Sequence, residues 1–439
     1  MRDVNNQKRL TKKLNYAIIS LSVGASATES RHYFFKGTKK MTNVAILGFG
    51  VVGSGVADLL TNNKAEVTKL GGREINIKYI LDLRDFPESP FGDRVVHDFD
   101  IILSDPDVDC VIEVMGGSHP AYEYTVAALR AGKSVISSNK EVVSIYGEEF
   151  LREAERSNVS YRFEAAVGGG IPVISPMISL IGQNKIREVR GILNGTTNYI
   201  LTKMFSFGDS FEESLRDAQQ RGYAERNPDA DVLGIDACRK IAILTSLVTG
   251  KLIPTELIHT EGITRIRRED VALAESIGLS IKLLGRCLIS EGGLQVMVAP
   301  FMIPKESPLG GVSGVYNAVE IIGEPIGSLM FYGQGAGAGA TASAVVGDLM
   351  QIMRSGRQCA QPEMVKTSDG LLGFAELEAR QYIALSGADK AAIEAAFGKV
   401  KFIGEGCEIA FITEKMKESS VLSAIEELRA DIKSRIRLI

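Results

Sequence analysis

Residues 42–47 form a short, continuous apolar run, and Gly48-Phe-Gly50-Val51-Val52-Gly53 follows it at once. Residues 54–60 then read as a helix. A run of this length and polarity is a buried strand. A strand that turns through Gly-x-Gly-x-x-Gly into a helix narrows the possible folds more than any other feature of the chain. A glycine cluster elsewhere means only a turn, but in this context each glycine has a task. Gly48 permits the tight turn, Gly50 lets backbone N–H groups approach a pyrophosphate, and Gly53 allows close helix–strand packing. The N-terminus of the helix then favours phosphate charge.

The following residues repeat the alternation. Residues 75–81 read as a second strand ending in Asp82, residues 108–114 as a third leading into Met115-Gly116-Gly117, and residues 122–131 as a helix closed by Gly132. Residues 134–137 form another strand, followed by Ser138-Asn139-Lys140. Strands alternating with helices predict a parallel, doubly wound α/β sheet, a Rossmann-type dinucleotide-binding domain over residues 41–155. Asp82 lies 29 residues after Gly53, and residues 63–72 account for the extra length as a loop. A carboxylate there binds a ribose 2′-hydroxyl and repels a 2′-phosphate, favouring NAD over NADP. Arg84 points the other way. Lys140 sits at the carboxyl end of a strand, where such sheets bind ligands, although most lysines simply face solvent.

Beyond residue 155 the pattern changes. Residues 160–167 are strand-like and run into Gly168-Gly-Gly-Ile-Pro172; residues 186–193 form a strand, and Asn194-Gly-Thr-Thr-Asn198 caps a helix. Helices follow at 211–220 and 235–249, and strands at 296–298 and 318–322. This predicts an α+β substrate and dimerisation domain over 156–332, built on an open mixed sheet. Gly333-Gln-Gly-Ala-Gly337 leads into an alanine-rich helix, a return to the nucleotide domain over 333–354. Residues 378–439 read β-α-β-β-α-β, with the second helix at 420–431, the ferredoxin-like order.

Composition excludes several classes. The five cysteines are scattered without CxxC spacing, and the four histidines do not pair at metal spacing, so zinc is not expected and a reducing, cytoplasmic setting is. A net charge of −4 gives no pull toward nucleic acid. The charge is uneven: residues 1–40 carry +7 and the remainder −11. Lys12-Lys13 before a modest apolar run resembles a weak secretory leader, but Met41 stands just before the first strand. Residues 1–40 are expected to be a disordered extension or a start-site artefact. No other apolar run approaches bilayer-spanning length, so no membrane partner is expected.

The densest chemistry lies in residues 218–240. Glu225 and Asp231 occupy an irregular segment broken by Gly222, Asn227-Pro228 and Gly234, and Asp236 and Lys240, four apart, share one helix face. Such a pair is ordinarily a surface ion pair. The string of acids before it can instead hold a small zwitterion and move one proton. Glu164 with the carbonyls around Val167 and Gly169 can bind a hard cation, or can be a strand end with a flexible turn.

Together these residues resemble homoserine dehydrogenases. Ala218, Gly222, Tyr223, Asn227-Pro228, Asp231, Gly234, Asp236 and Lys240 fit the family signature, and Gly48 to Gly53, Gly132 to Lys140, Glu164 to Pro172, Gly191 to Tyr199 and Gly333 to Gly337 agree with it. The likeness covers residues 42–353. It implies reversible, NAD(P)H-dependent reduction of L-aspartate 4-semialdehyde to L-homoserine, on the route to threonine, methionine and isoleucine. By motif, Lys240 is the proton donor and acceptor, Asp236 orients it, and Lys140 lies between nicotinamide and substrate. Glu225 binds the substrate amino group, with Asp231 and Tyr223 nearby. Gly48, Gly50, Val51, Val52, Gly53, Asp82, Gly116, Lys140 and Gly337 face the cofactor. Glu164, Val167, Gly169 and Ile171 match a sodium site, with potassium as the other candidate. A homodimer or homotetramer is implied. The tail resembles an ACT regulatory domain, but Ala388-Asp-Lys-Ala-Ala392 lacks the Pro-Gly turn of the effector pocket, so threonine feedback is not expected. A non-catalytic sensor and a dehydrogenase for another amino acid are the competing readings. The sensor would be expected to lose Lys240 or Asp236.

Overall fold

A computed structural model describes residues 41–355, 362–404 and 406–439; the expected extension lies outside these residues. The first sheet has six strands: β1 (Met41–Leu47), β2 (Glu74–Leu81), β3 (Val95–Val96), β4 (Val108–Glu113), β5 (Ser134–Ser137) and β6 (Tyr161–Arg162). Their order is 3-2-1-4-5-6 and every pairing is parallel, the doubly wound nucleotide-binding arrangement. Helix α1 (Val51–Asn62) covers one face, and α2 (Ala121–Arg130) and α3 (Lys140–Arg156) cover the other. Alternation along β1 follows: Val44 and Ile46 pack with Val56 and Leu60 of α1, while Ala45 and Leu47 face the cluster that holds Val126 and Val143. Burial on both faces is why the strand reads as continuously apolar.

Two local expectations fail here. Residues 63–72 are not a loop but contain the helix Lys64–Gly71, stopped by Gly72 at φ +74°. Glu66 in its first turn and Lys69 in its last suit the helix dipole, a signal that the low apolar content obscured. Only Tyr161–Arg162 of the expected strand at 160–167 pairs, and it does so as the edge of the first sheet, while Ala165–Gly168 forms a helical turn.

The second sheet is larger. It contains β7 (Lys185–Ile192), β8 (Leu279–Ser290), β9 (Gly293–Pro304), β10 (Tyr316–Glu324) and β11 (Gly327–Gln334), paired antiparallel in the order 11-10-7-8-9. Helices α4 (Gly195–Phe207), α5 (Phe211–Gln220) and α6 (Ile235–Thr249) belong to this part. Helix α6 is buried along most of its length, and Gly285 of β8 lets it approach: a Cβ there would lie 3.0 Å from Ile241 Cβ. Helix α7 (Ala338–Ser355) then returns to pack on α1 with Ala342, Val345 and Leu349.

The tail runs β12 (Glu378–Ser386), α8 (Lys390–Phe397), β13 (Val400–Gly404), β14 (Ile409–Thr413), α9 (Glu418–Leu428) and β15 (Asp431–Leu438). The strand order is 15-12-14-13 with antiparallel pairs. The last helix ends at Leu428, not at residue 431, because Asp431 already pairs with Ser386. The tail does not stand apart. Phe301 and Met302 of β9 pair with Arg437 and Leu438 of β15, so one sheet runs through both parts. Buried Arg437 reinforces the seam with paired bonds to Glu261 at 3.0 and 2.9 Å and a bond to Glu418 at 2.6 Å. Among the described residues no helix is long and apolar enough to cross a membrane.

Candidate active site

A cavity of about 650 Å³ opens between the two sheets, lined by Val52 and Lys140 from the nucleotide side and by Asn194, Asp231, Asp236 and Lys240 from the other. Helix α6 begins after Gly234, whose φ of +83° turns the chain so that Asp236 falls in its first turn. Lys240 Nζ is 2.9 Å from Asp236 Oδ2, and Lys140 Nζ is 2.8 Å from Asp236 Oδ1. The pair is therefore not a surface ion pair: Asp236 is 4 % and Lys240 7 % exposed. Lys240 also donates to the Leu193 carbonyl at 2.8 Å, just past the end of β7. Asn194 Nδ2 bridges Asp231 Oδ1 at 2.7 Å and Asp236 Oδ2 at 3.0 Å.

The electrostatics follow from burial. Burial works to raise the Asp236 carboxyl, but Lys240 and then Lys140 outweigh it and hold it well below the usual carboxylate range. Burial pushes the Lys240 ammonium below the ordinary lysine value; Asp236 opposes this and Lys140 adds to it. Asp231 is raised, again mainly by burial, with Asn194 opposing. A buried ammonium whose proton is held less tightly than usual, aimed into a cavity by a carboxylate, can give and take a proton.

The nucleotide end also fits a pyrophosphate. Helix α1 has no side-chain cap and no acid in its first turn, and open space surrounds the position of an added Gly50 Cβ. A Cβ on Gly53 would fall 2.0 Å from the Gly48 carbonyl oxygen, so this crossing excludes any side chain. Val51 is exposed, Val52 lines the cavity, Gly116 is exposed at the end of β4, and Gly337, with φ +119°, precedes α7. Asp82 follows β2 and accepts Phe49 N–H at 2.8 Å, tying it to the glycine turn. Arg84 folds back on it through Nε at 3.0 Å and Nη2 at 3.1 Å. The Arg84 guanidinium lowers the Asp82 carboxyl to about 2.

Not every candidate converges. Tyr223 lines the cavity, its ring edge-on to Tyr199 at 4.9 Å. Glu225 is exposed and lies outside the lining; its main-chain carbonyl accepts from Gln219. Glu164 is buried, but its carboxylate is committed to backbone groups. One oxygen accepts Val173 and Ile174 N–H, both at 2.7 Å, and the other Ser175 N–H at 2.8 Å, capping the helix Ile174–Ile181. Asp348 Oδ2 in turn accepts Glu164 N–H at 2.8 Å. Gly169, expected in a flexible turn, is pinned: a Cβ there would fall 2.3 Å from the Gly335 carbonyl oxygen. The glycine strings at 168–170 and 333–337 are therefore the two sides of one close contact. Glu164→Gln should place an amide NH2 against a backbone N–H and lower stability by about 1–3 kcal/mol, read from a denaturant midpoint at unchanged m.

Of two further polar groups, Asn194 was legible only as a cap and Asn139 only as a neighbour of Lys140. Asn194 does cap α4, accepting Thr197 N–H at 2.9 Å, but its Nδ2 also organises both acids. Asn139 caps α3 and donates to the Gly117 carbonyl at 2.7 Å, binding the loop after β4 to the start of the helix that carries Lys140. Beneath them, buried Glu113 accepts Ser137 Oγ–H at 2.5 Å and Met115 N–H at 2.9 Å. No motif announces Glu113; the sign in the sequence is an acid inside an apolar strand.

A dinucleotide fold that opens onto a buried ammonium held by a carboxylate belongs to the nicotinamide-dependent oxidoreductases, which need both a site for the cofactor and a partner for the proton. Sequence comparison narrows the class. Residues 48–164 match the model of the homoserine dehydrogenase NAD binding domain, and residues 172–350 match the model of homoserine dehydrogenase. The chain is 42% identical over 315 residues to homoserine dehydrogenase of Synechocystis sp., covering 71% of this chain and 73% of that one. It is 39% identical over 325 residues to the Bacillus subtilis enzyme, covering 72% and 74%. A crystal structure of a homoserine dehydrogenase from Thiobacillus denitrificans superposes with a TM-score of 0.84 at 33% identity, over 92% of this chain and 99% of that one. A hyperthermophilic archaeal homoserine dehydrogenase mutant in complex with NADPH gives 0.61 at 27% identity, over 71% and 97%. The chain belongs to the homoserine dehydrogenase family. It is an NAD(P)-dependent oxidoreductase that interconverts L-homoserine and L-aspartate 4-semialdehyde.

Proposed function

We propose that Lys240 carries the proton in this reaction. The observation that supports it is the buried Lys240–Asp236 ion pair facing the cavity. The bound nicotinamide supplies or receives the hydride. In the reducing direction Lys240 Nζ gives its proton to the oxygen of the former aldehyde, directly or through water; in the oxidising direction it takes the hydroxyl proton. Its charge stabilises the developing alkoxide. Asp236 holds Lys240 and Lys140 on its two oxygens, so Lys140 adds positive charge at the edge of the cavity next to the cofactor side. Asp231 and Tyr223, which line the cavity, receive the amino-acid end, with Glu225 on the exposed segment between them.

The glycine turn, Val51, Val52, Gly116 and Gly337 hold the dinucleotide, with NAD preferred to NADP. Asp82 supports that preference because a carboxylate tied to the glycine turn repels a 2′-phosphate. Arg84 weakens it, since its exposed guanidinium neutralises Asp82. Asp82→Ala is expected to shift the ratio of kcat/KM for NAD over NADP toward NADP by roughly tenfold or more, the scale of a charge-assisted contact. Arg84→Ala should move the ratio the other way. Homoserine oxidation with each nucleotide, followed by nicotinamide absorbance, measures both the activity and the ratio; an unmoved ratio in both variants removes these residues from cofactor choice.

A sodium or potassium ion is assigned to the main-chain carbonyls of Glu164, Val167, Gly169 and Ile171, since the Glu164 carboxylate is already bonded. The tail is read as ACT-like, with a dimerisation or vestigial role rather than an effector role. A homodimer or homotetramer in the cytoplasm completes the reading.

A further inference from the structure

Asn317 of β10 is 2 % exposed, yet it lines the catalytic cavity. Its Oδ1 is buried without a hydrogen-bond donor from the protein. Such an oxygen is costly to leave unpaired, and one on a residue that lines a cavity can be met by a donor that binds there. Gly335 packs against the amide: a Cβ there would fall 2.1 Å from Asn317 Cγ and Nδ2 and 2.6 Å from Oδ1. On the other side, a Cβ on Gly195 would lie 3.3 Å from Oδ1, so the oxygen sits beside the first residue of α4.

This places Asn317 at the substrate end. Ala318 pairs with Ile192, so Asn317 lies alongside Leu193, whose carbonyl accepts the Lys240 ammonium. Asn194, the next residue, carries the bonds to Asp231 and Asp236. The N-terminus of α4 has no acid in its first turn and suits a carboxylate. An α-amino acid seated there presents its ammonium one carbon from that carboxylate. The ammonium is also the only substrate donor that survives the reaction, because the hydroxyl loses its hydrogen on becoming an aldehyde.

We propose that Asn317 is a substrate-contacting residue, its Oδ1 accepting an N–H of the substrate α-ammonium and so fixing the amino-acid end while the other end meets Lys240. The proposal rests on the homoserine dehydrogenase reading.

Steady-state kinetics on the full chain test it, with wild type, Asn317→Ala and Asn317→Asp. Asn317→Ala should raise KM for homoserine by roughly tenfold or more, as for loss of a hydrogen bond to a charged group. It should leave kcat within about threefold and nucleotide KM within about twofold. Asn317→Asp keeps the planar shape and the acceptor, and should hold homoserine KM at or below about twice the wild-type value. A homoserine KM unmoved in Asn317→Ala, or a rise confined to the nucleotide KM, overturns the proposal. So does a rise of about tenfold in Asn317→Asp, which would mean that the oxygen faces the carboxylate; this arm decides if the alanine variant does not fold. Wild-type turnover of homoserine is read separately, and its absence would count against the activity rather than against Asn317.

Discussion

Lys240→Ala should lower kcat for homoserine oxidation by about 10²–10⁴-fold, the usual contribution of a positioned proton-transfer group. The nucleotide should still bind, since α1 and its glycine turn lie on the other side of the cavity. Nucleotide titration by fluorescence, beside turnover, separates the two outcomes. Loss of both would indicate a collapsed fold, and near-normal turnover would sink the assignment. The variant leaves Asp236 with Lys140 and Asn194 still within reach, at 2.8 and 3.0 Å, so the remaining charge is not isolated. Lys240→Arg should rescue poorly, because the guanidinium stays protonated at any pH in use and would have to fit where the buried Lys240 Nζ is held between Asp236 and the Leu193 carbonyl.

Asp236→Asn should act on both rate and stability. It removes the charge paired with both lysines, so the buried Lys240 loses the largest interaction that opposes its lowering and keeps only the weaker one from Asp231. Breaking one partner of a buried ion pair costs about 3–5 kcal/mol, part of which Lys240 recovers by losing its proton. The sign with pH is definite. With Lys240 as the proposed proton donor, the reducing direction needs its ammonium, and activity should fall as pH rises through its value. Without Asp236 that value drops further, and the alkaline limb of the pH–rate profile should move to lower pH. A limb that stays in place would mean another group sets it. For stability, the folded-state Asp236 carboxyl is lowered, so the wild-type contribution is present above the unfolded value of about 4 and is lost as pH falls below it. The variant should lack that acid-dependent component in urea unfolding measured across this range.

Much of the nucleotide half is local and was legible. β1, the glycine turn and α1 follow one another within about twenty residues, and their periodicities and turn residues speak directly. Where the expectation failed, the cause was also local. The helix Lys64–Gly71 has few apolar residues, and residues 160–167 mix a two-residue edge strand with a helical turn. The union of the tail with the central sheet was not legible. β9 and β15 are more than a hundred residues apart, and nothing in either strand says which other edge it will meet.

The candidate site divides the same way. The order of Asp231, Gly234, Asp236 and Lys240 places two groups on one face of α6, and that follows from helix geometry alone. Their burial does not. It depends on Gly285 admitting α6 to the sheet and on Leu193 meeting Lys240 at the end of β7. Glu164 shows the opposite case: its motif is in place, but three backbone N–H groups from residues 173–175 reach its carboxylate first. Asn317 carries no motif at all, and its unpaired oxygen exists only where β10, α4 and the 333–337 turn converge. Chain order specified which acids, lysines and glycines were present and on which element each would lie. Packing determined which of them lost water, and that loss is what pushes Lys240 down, pushes Asp231 up and leaves the Asn317 oxygen unpaired.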